Sequence, residues 1–270
     1  MMNVTLANGI QMPVLGLGVW KTTEGAEVEE AVSFALNNGY RHIDTATLYR
    51  NEVGVGAGVR NSSIPRSEVF VTTKVWNDDQ GYDNTLRAFD QSQRNLDIDY
   101  IDLYLVHWPV KGKYKESWRA LERLYTEGRV KAIGVSNFLQ HHLDDLLPSV
   151  EIRPMVNQLE HHPYLVQASL QQYCKAQGIQ FEAWSPLMQG GIFSIPLLET
   201  LSAKYGKSIA QIVLRWNVQN GIVTIPKSVT PVRIIENSQI FDFELDAADM
   251  QAIDQLDKGQ RVGPDPDVFC

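Results

Sequence analysis

The stretch IDLYLVHWPVKGKYKESWRALERLYTEGRVKAIGVSN, residues 101–137, contains one complete strand, helix and strand unit. Residues 101–108 and 131–137 are short runs rich in apolar and β-branched side chains. Between them, residues 114–128 carry apolar side chains at helical spacing and end in Gly, a residue that suits a left-handed helix C-cap. A strand, a helix and a second strand in this order indicate two neighbouring parallel strands.

The same alternation runs along the whole chain. Eight candidate strands can be recognised, namely VLGLGV, HIDTA, VFVTTKV, IDLYLVHW, KAIGVSN, MVNQLEH, FEAWSP and IVTIPKS. Helical patterns separate them, and they include residues 24–39, 85–96, 167–178 and 208–221, with a final one at 246–256. Eight strict alternations predict an α/β fold of the (β/α)8 TIM barrel type, with extra helices, formed by residues 1–270 as a single domain.

An open, doubly wound sheet is the alternative architecture. It would normally place a G-x-G-x-x-G turn after its first strand. The candidates at residues 16–18 and 54–56 do not continue into that motif, because Lys21 and Val59 stand where the third glycine is required. We therefore favour the barrel, and we expect the glycines at 54, 56 and 58 to be close-packing positions in a helix.

The two ends of the chain have their own patterns. Residues 3–15 alternate around Asn8-Gly9, a dipeptide that suits a two-residue turn because both positions tolerate positive φ, so a β-hairpin should open the chain. The tail after residue 256 is short, and we expect it to be irregular and to lie over a barrel mouth.

Charge and cysteine content narrow the possible partners. The 24 Lys and Arg against 32 Asp and Glu give a net charge of -8, which argues against nucleic acid and anionic membranes and favours a small-molecule substrate. Cys174 and Cys270 are too few for a disulfide framework or a four-cysteine metal site, which fits a reducing cytoplasm. We expect no signal peptide and no membrane span, because Asp102 and His107 interrupt the apolar run at residues 101–110.

Polar side chains stand at the ends of most predicted strands. Asp44, Lys74 and His107 follow the second, third and fourth strands, and taken singly they would be a helix cap, a solvated lysine and a core histidine. The remaining ends carry Ser136 and Asn137, Asn157 and Gln158, Trp184 and Ser185, and Lys227 and Ser228. Because the carboxyl ends of barrel strands form the ligand-binding face, the joint pattern predicts one site.

The first of these residues suit proton transfer to a carbonyl oxygen. The carboxylate of Asp44 would offset the desolvation of Lys74, whose charge would pull the pKa of Tyr49 below its usual value of about 10. A neutral His107 could donate a hydrogen bond to the same oxygen. The pattern contains an acid and an orienting group but no evident nucleophile.

A bound metal is not expected. His141-His142 and His161-His162 are adjacent pairs, and neighbours on a strand point to opposite faces while neighbours on a helix diverge. No H-E-x-x-H motif connects them.

Proton donation to a carbonyl oxygen requires hydride delivery to its carbon, which suggests a nicotinamide cofactor. Asn137 and Gln158 could hydrogen-bond its carboxamide, and Trp184 could stack on its ring. Lys227, Ser228 and Arg233 combine two cations and a hydroxyl at a helix start, which suits a phosphate monoester and therefore favours NADPH over NADH.

The chain resembles the aldo-keto reductase family over essentially its whole length. The resemblance is carried by GYRHIDTATLYRNEVGVG, VHWP, GVSNF and IPKSVTPVRIIEN, in that order. It implies a catalytic tetrad of Asp44, Tyr49 as proton donor, Lys74 and His107. It also implies an extended NADPH site formed by Trp20, Ser136, Asn137, Gln158, Trp184, Ser185, Leu187, Gly190, Lys227, Ser228, Arg233, Glu236 and Asn237.

The same resemblance implies a substrate pocket lined by Trp20, Trp76, His107 and Trp108. The short connections and tail are similar to the compact bacterial members, including 2,5-diketogluconate reductases and methylglyoxal or glyoxal reductases, which predicts a monomer with broad specificity for small aldehydes and ketones. Two other hypotheses remain at this point. The chain could be a catalytically weak NADPH-binding regulatory subunit, or a barrel hydrolase or aldolase using Lys74 as a Schiff-base amine.

Overall fold

The computed structural model describes residues 2–269 and opens with an antiparallel hairpin. Strand β1, Asn3–Thr5, pairs with strand β2, Gln11–Pro13. The predicted hairpin is confirmed, but the predicted two-residue turn is wrong. The N–H of Leu6 donates to the carbonyl of Ile10 at 2.9 Å, which leaves a loop of three residues between them.

The loop geometry follows from the roles of its last two residues, Asn8 and Gly9. Gly9 has a φ of 87°, whereas Asn8 is outside the positive-φ region. The amide of Asn8 instead donates to the carbonyl of Lys131 at 2.9 Å and accepts from the N–H of Ile10 at 3.2 Å. Asn8 therefore attaches the hairpin to the barrel.

Eight parallel strands follow, each paired with the next along the chain. They are β3 Leu17–Gly18, β4 His42–Asp44, β5 Phe70–Val75, β6 Ile101–Val106, β7 Val130–Ser136, β8 Val156–Glu160, β9 Gln180–Trp184 and β10 Val223–Thr224. Parallel bridges from Leu15 to Thr224 and from Gly18 to Lys227 join the first strand to the last. The predicted barrel is confirmed and is closed.

The helices surround this barrel. They are α1 Ala26–Asn37, α2 Glu52–Asn61, α3 Tyr82–Leu96, α4 Tyr114–Thr126, α5 Gln140–Leu146, α6 Ala168–Ala176, α7 Pro196–Tyr205, α8 Ile209–Gln219, α9 Pro231–Ser238, α10 Ala247–Asp254 and α11 Pro266–Phe269. Their apolar stripes face inward. Helix α4, for example, buries Trp118, Leu121 and Leu124 at helical spacing.

Two apolar clusters form the core. The larger one fills the barrel and the space between its strands and helices α1 to α6, α8 and α9. The smaller one includes Leu198 of α7, Trp216 of α8 and Ile253 of α10. His161 stacks on Trp216 with ring centroids 4.7 Å apart, so this histidine belongs to the core.

The three glycines of α2 are close-packing positions, as expected. A Cβ atom at Gly54 would lie 2.4 Å from Val28, and one at Gly58 would lie 2.7 Å from Val32. At Gly56 it would lie 1.8 Å from the carbonyl oxygen of Leu96. Helix α2 can therefore approach α1 and the end of α3 only without side chains at these positions.

The tail differs in part from the prediction. It ends in the short helix α11, so it is not wholly irregular. It does lie over the barrel mouth, where Phe269 contacts Trp108 with ring centroids 4.6 Å apart. Cys174 is a free, buried thiol, and Cys270 lies outside the described residues. Between residues 2 and 269, no helix is long and apolar enough to cross a bilayer.

Replacing Gly56 by Ala should destabilise the fold by roughly 1–3 kcal/mol or more, because the new methyl group would meet a backbone carbonyl that cannot rotate away. Urea unfolding followed by circular dichroism measures the change in the free energy of unfolding. Gly191→Ala is the matched control, because its nearest neighbours are Met188 side-chain atoms at 3.3 Å and 3.4 Å. Equal stability of the two variants would contradict the close-packing interpretation.

Candidate active site

The barrel brings three predicted residues together at its carboxyl face. Asp44 ends β4, Lys74 is the second-last residue of β5, and His107 directly follows β6. The Nζ of Lys74 donates to Asp44 Oδ1 at 2.6 Å and to the carbonyl of Thr45 at 2.8 Å. The ion pair is buried, since the Lys74 side chain is 0% exposed and that of Asp44 is 2% exposed.

Tyr49 reaches the same place from a single turn of 3₁₀ helix, Thr47–Tyr49. The hydroxyl of Thr47 donates to the carbonyl of Lys74 at 2.9 Å, which ties this turn to β5. The turn ends at Arg50, whose φ is 55°. As a result, the Tyr49 ring centroid lies 5.2 Å from Lys74 Nζ and 5.9 Å from the His107 ring.

Burial and charge set the protonation of this cluster. Burial by itself lowers the pKa of Lys74, but Asp44, Tyr49 and Glu182 act in the opposite direction and raise it above its usual value. An amine that holds its proton is a poor Schiff-base nucleophile, which argues against the aldolase hypothesis. Burial, assisted by Lys74, holds the pKa of His107 well below its usual value, so the expected neutral imidazole is confirmed.

The prediction for Tyr49 is wrong in direction. Burial raises the pKa of Tyr49 above its usual value, and the charge of Lys74 and its hydrogen bond lower it by less. Asp44 and Glu182 add to the increase. The physical reason is that Lys74 is already neutralised by Asp44, so it cannot compensate fully for removing a phenolate from water.

Asn137 connects the proton-donating side of the site to Trp184. Its backbone is left-handed, with a φ of 64°. Its amide nitrogen donates to the carbonyl of His107 at 3.0 Å, and its amide oxygen accepts from the indole nitrogen of Trp184 at 2.9 Å. Ser136 donates to the carbonyl of Gln158 at 2.9 Å. These bonds hold the predicted nicotinamide contacts in fixed positions.

Two residues of β8 differ from their predicted placement. Gln158 does not end the strand, because β8 continues to Glu160. Its side chain bonds to Asp44 Oδ2 at 2.7 Å, which places it in the barrel interior. Asn157 belongs to the opposite face and donates to the carbonyl of Phe138 at 2.8 Å.

The predicted phosphate site lies after β10. Lys227 and Arg233 are both exposed, and neither forms an ion pair with a carboxylate within residues 2–269. Ser228 accepts a hydrogen bond from the N–H of Thr230 at 3.1 Å, directly before α9 begins at Pro231. Glu236 and Asn237, predicted near the adenine, lie later in the same helix.

The loop after β9 holds the predicted pyrophosphate contacts in a tight turn. The N–H of Met188 donates to the carbonyl of Ser185 at 2.9 Å, and that of Gly190 to the carbonyl of Leu187 at 2.8 Å. Ser185 and Gly190 have positive φ values of 50° and 101°.

The predicted substrate walls are joined by a residue that the sequence analysis missed. His107 packs edge-on against Trp76 with centroids 5.3 Å apart and lies beside Trp108 at 6.3 Å. Phe269 of the tail lies over both tryptophans. Trp20 stands apart from this group, 39% exposed, with Lys21 Nζ 4.1 Å from its ring centroid. Nothing local in the sequence marks Phe269, because only the folded tail brings it to the mouth.

Glu160 anchors the tail and was also missed. Its fully buried carboxylate accepts from the backbone N–H groups of Val262 at 2.6 Å and Gly263 at 3.0 Å. Gly263 then lies against Trp184, where a Cβ atom would be 2.3 Å from the indole ring. One sequence signal could have identified both Glu160 and Glu182. Each is a carboxylate within a predicted apolar strand.

The expectation that adjacent histidines diverge is wrong for His141 and His142. Their ring centroids are 4.0 Å apart, and Asp267 of α11 completes a cluster whose ligand atoms lie within 4.8 Å of one another. His142 Nδ1 accepts a hydrogen bond from the N–H of Leu139 at 3.1 Å. In a neutral His142 the proton is then on Nε2, so this nitrogen donates a hydrogen bond and does not bind a metal. The absence of a metal stays a prediction.

The comparisons with known proteins agree with this geometry. The sequence profile of the aldo/keto reductase family matches residues 14–258. Glyoxal reductase of Bacillus subtilis is 58% identical, over 98% of this chain and 96% of its own length. Methylglyoxal reductase DkgA of Escherichia coli is 47% identical, over 98% and 97%.

A solved structure extends the similarity to the fold. A mutant of Gox0644, crystallised in complex with NADPH, is 44% identical and superposes with a TM-score of 0.94, covering 100% of this chain and 98% of that one. With a closed (β/α)8 barrel and a family match over most of its length, the chain belongs to the aldo-keto reductase family, whose members are oxidoreductases.

Proposed function

We propose that the chain reduces small aldehydes and ketones to alcohols, with NADPH as hydride source and Tyr49 as proton donor. One observation carries the proposal. A charged Lys74, buried and paired with Asp44, lies beneath the ring of Tyr49, and a neutral His107 lies beside that ring. This combination offers a proton donor and a neutral hydrogen-bond donor for one substrate oxygen.

Each of the four residues has a distinct task in this proposal. As the carbonyl carbon accepts hydride, negative charge develops on its oxygen, and Tyr49 donates its proton there. Lys74 stabilises the phenolate that forms, and Asp44 keeps Lys74 charged and in place. His107 orients the carbonyl through a hydrogen bond. Because the pKa of Tyr49 is raised, the phenol is protonated before reaction and is ready to act as an acid.

The side chains fit an NADPH molecule. When bound, it would supply the hydride. The exposed cations Lys227 and Arg233, which form no ion pair within residues 2–269, would hold the 2′-phosphate. Trp184, held by Asn137, would stack on the nicotinamide, and Gln158 would bind its carboxamide. The NADPH complex of the similar Gox0644 structure supports this choice of cofactor.

The aromatic side chains around His107 support small carbonyl compounds as substrates. Trp76, Trp108 and Phe269 leave an aromatic entrance above His107. The similarity to glyoxal and methylglyoxal reductases supports short dicarbonyl compounds as substrates, and 2,5-diketogluconate is a further candidate. The intact group of Asp44, Tyr49, Lys74 and His107 argues against a purely regulatory subunit.

The single domain, the monomeric state and the cytoplasmic location stay predictions.

Tyr49→Phe should lower kcat on the order of 10²- to 10⁴-fold, because the variant keeps the ring but loses the acid. The measurement is NADPH oxidation at 340 nm with methylglyoxal, alongside the Kd of NADPH, which should not change. Tyr104→Phe is the matched control, since Tyr104 is buried and its hydroxyl has no hydrogen-bond partner within residues 2–269. Turnover by Tyr49→Phe at the wild-type rate would refute the acid assignment.

Arg233→Ala should weaken NADPH binding roughly 10- to 100-fold, the effect of losing a charge-assisted hydrogen bond worth about 1.5–3 kcal/mol. NADH lacks the 2′-phosphate, so its binding should change by less than about threefold if no other contact is altered. Titration of tryptophan fluorescence with each cofactor measures both values. Lys204→Ala serves as control, because this lysine pairs with Asp246 and Asp249 on the surface. Equal losses for NADPH and NADH would exclude Arg233 as a phosphate ligand.

A further inference from the structure

Glu182 is a second buried carboxyl group beside the proposed catalytic cluster. It lies in the middle of β9, directly opposite Gln158 of β8 in the strand register, and its side chain is 0% exposed. No task in the mechanism above requires it. A carboxyl group without solvent contact inside a barrel carries a large desolvation cost, so its contacts are informative.

The amide of Gln158 joins the two buried acids. Its Nε2 donates to Asp44 Oδ2 at 2.7 Å and to Glu182 Oε2 at 3.0 Å, which uses both amide hydrogens. Its Oε1 is therefore the atom left to accept a hydrogen bond from a nicotinamide carboxamide. If either carboxyl group were missing, the amide could rotate and present its nitrogen instead.

The charges around Glu182 decide its protonation. Burial, followed by the nearby Asp44, raises the pKa of Glu182 to about 8, while Gln158 and Lys74 act in the opposite direction. His42 Nε2 lies 3.8 Å from Glu182 Oε1, and burial lowers the pKa of His42 to about 3, so this imidazole is neutral. Glu182 thus carries a proton at neutral pH and loses it in mildly alkaline solution.

We propose that Glu182 is a positioning residue that fixes the amide of Gln158 beneath the nicotinamide, an inference that rests on the proposed function. When ionised, Glu182 favours binding of the oxidised cofactor. The oxidised nicotinamide ring is a cation and the reduced ring is neutral. A new negative charge one hydrogen bond behind Gln158 attracts only the oxidised form. Burial raises the pKa of Asp44 as well, while Lys74 and the hydrogen bond from Gln158 act in the opposite direction. Lys74 keeps its proton through this change, and Tyr49 stays protonated, because the pKa of each is raised.

Ionisation of Glu182 should link pH to the preference of the protein for the oxidised cofactor. In the wild type, the ratio of the Kd of NADP⁺ to the Kd of NADPH should fall by about threefold to tenfold between pH 7 and pH 9, since binding of the cationic ring and ionisation of Glu182 favour each other. Using the ratio cancels the titration of the 2′-phosphate, which both cofactors carry.

The test compares wild type with Glu182→Gln by fluorescence titration of both cofactors from pH 6.5 to pH 9.5. Glu182→Gln keeps an oxygen for Gln158 but cannot ionise, so its ratio should be independent of pH. Glu52→Gln is the matched control, because Glu52 is a buried carboxyl that bonds to Thr73 and Asn95, outside the site, and it should keep the wild-type dependence.

A second measurement needs no variant. Calorimetry of the wild type at pH 8 in two buffers of different ionisation enthalpy should detect a fractional proton release on binding NADP⁺ that is absent on binding NADPH. The same pH dependence in wild type and Glu182→Gln, or equal proton release for both cofactors, overturns the inference alone. Failure of the wild type to bind either cofactor overturns the proposed function and the inference with it.

Discussion

An ammonium group and a carboxylate meet at 2.6 Å between β4 and β5, both essentially without solvent contact. Neither Lys74 nor Asp44 is tolerable alone at this depth, since an unpaired buried charge typically costs several kcal/mol. Together they hold the Lys74 ammonium, with its charge largely offset by Asp44, at the floor of the barrel mouth. Tyr49 and His107 take their protonation states from that charge and from burial.

The barrel is what allows these side chains to meet. They come from the ends of three strands and from a turn tied to β5, and parallel pairing brings strand ends to the same face. Closure through Gly18 and Lys227 adds the last strand, so the proposed phosphate ligands lie at the same mouth as the proton donor. One extended cofactor could then contact both.

The tail completes the site from the outside. Glu160 holds its backbone, Gly263 lies against Trp184, and Phe269 covers Trp76 and Trp108. His141 Nε2 lies 2.9 Å from Asp267 Oδ1, and this contact adds a second attachment between α5 and α11. The tail therefore contacts both the proposed cofactor wall and the proposed substrate wall.

Local sequence patterns were sufficient to predict much of this structure. Strand and helix periodicity identified all eight barrel strands and several of the helices between them, because each depends on side chains near in sequence, but it did not identify α5 or α7. The glycine spacing in α2 indicated a close-packing role, although the partners of these glycines lie elsewhere in the chain. The polar residues at strand ends identified Asp44, Lys74 and His107 for the same reason. The order of the sequence motifs identified Tyr49 as the proton donor and identified the family.

Only the tertiary structure decided the remaining features. The direction of the Tyr49 pKa shift depends on how much water the folded barrel excludes, and the roles of Glu160, Glu182 and Phe269 depend on contacts between residues as much as 193 positions apart. The hairpin loop took three residues because Asn8 bonds to Lys131 across the barrel. Burial and long-range contact are properties of the packed chain, so no local pattern specifies them.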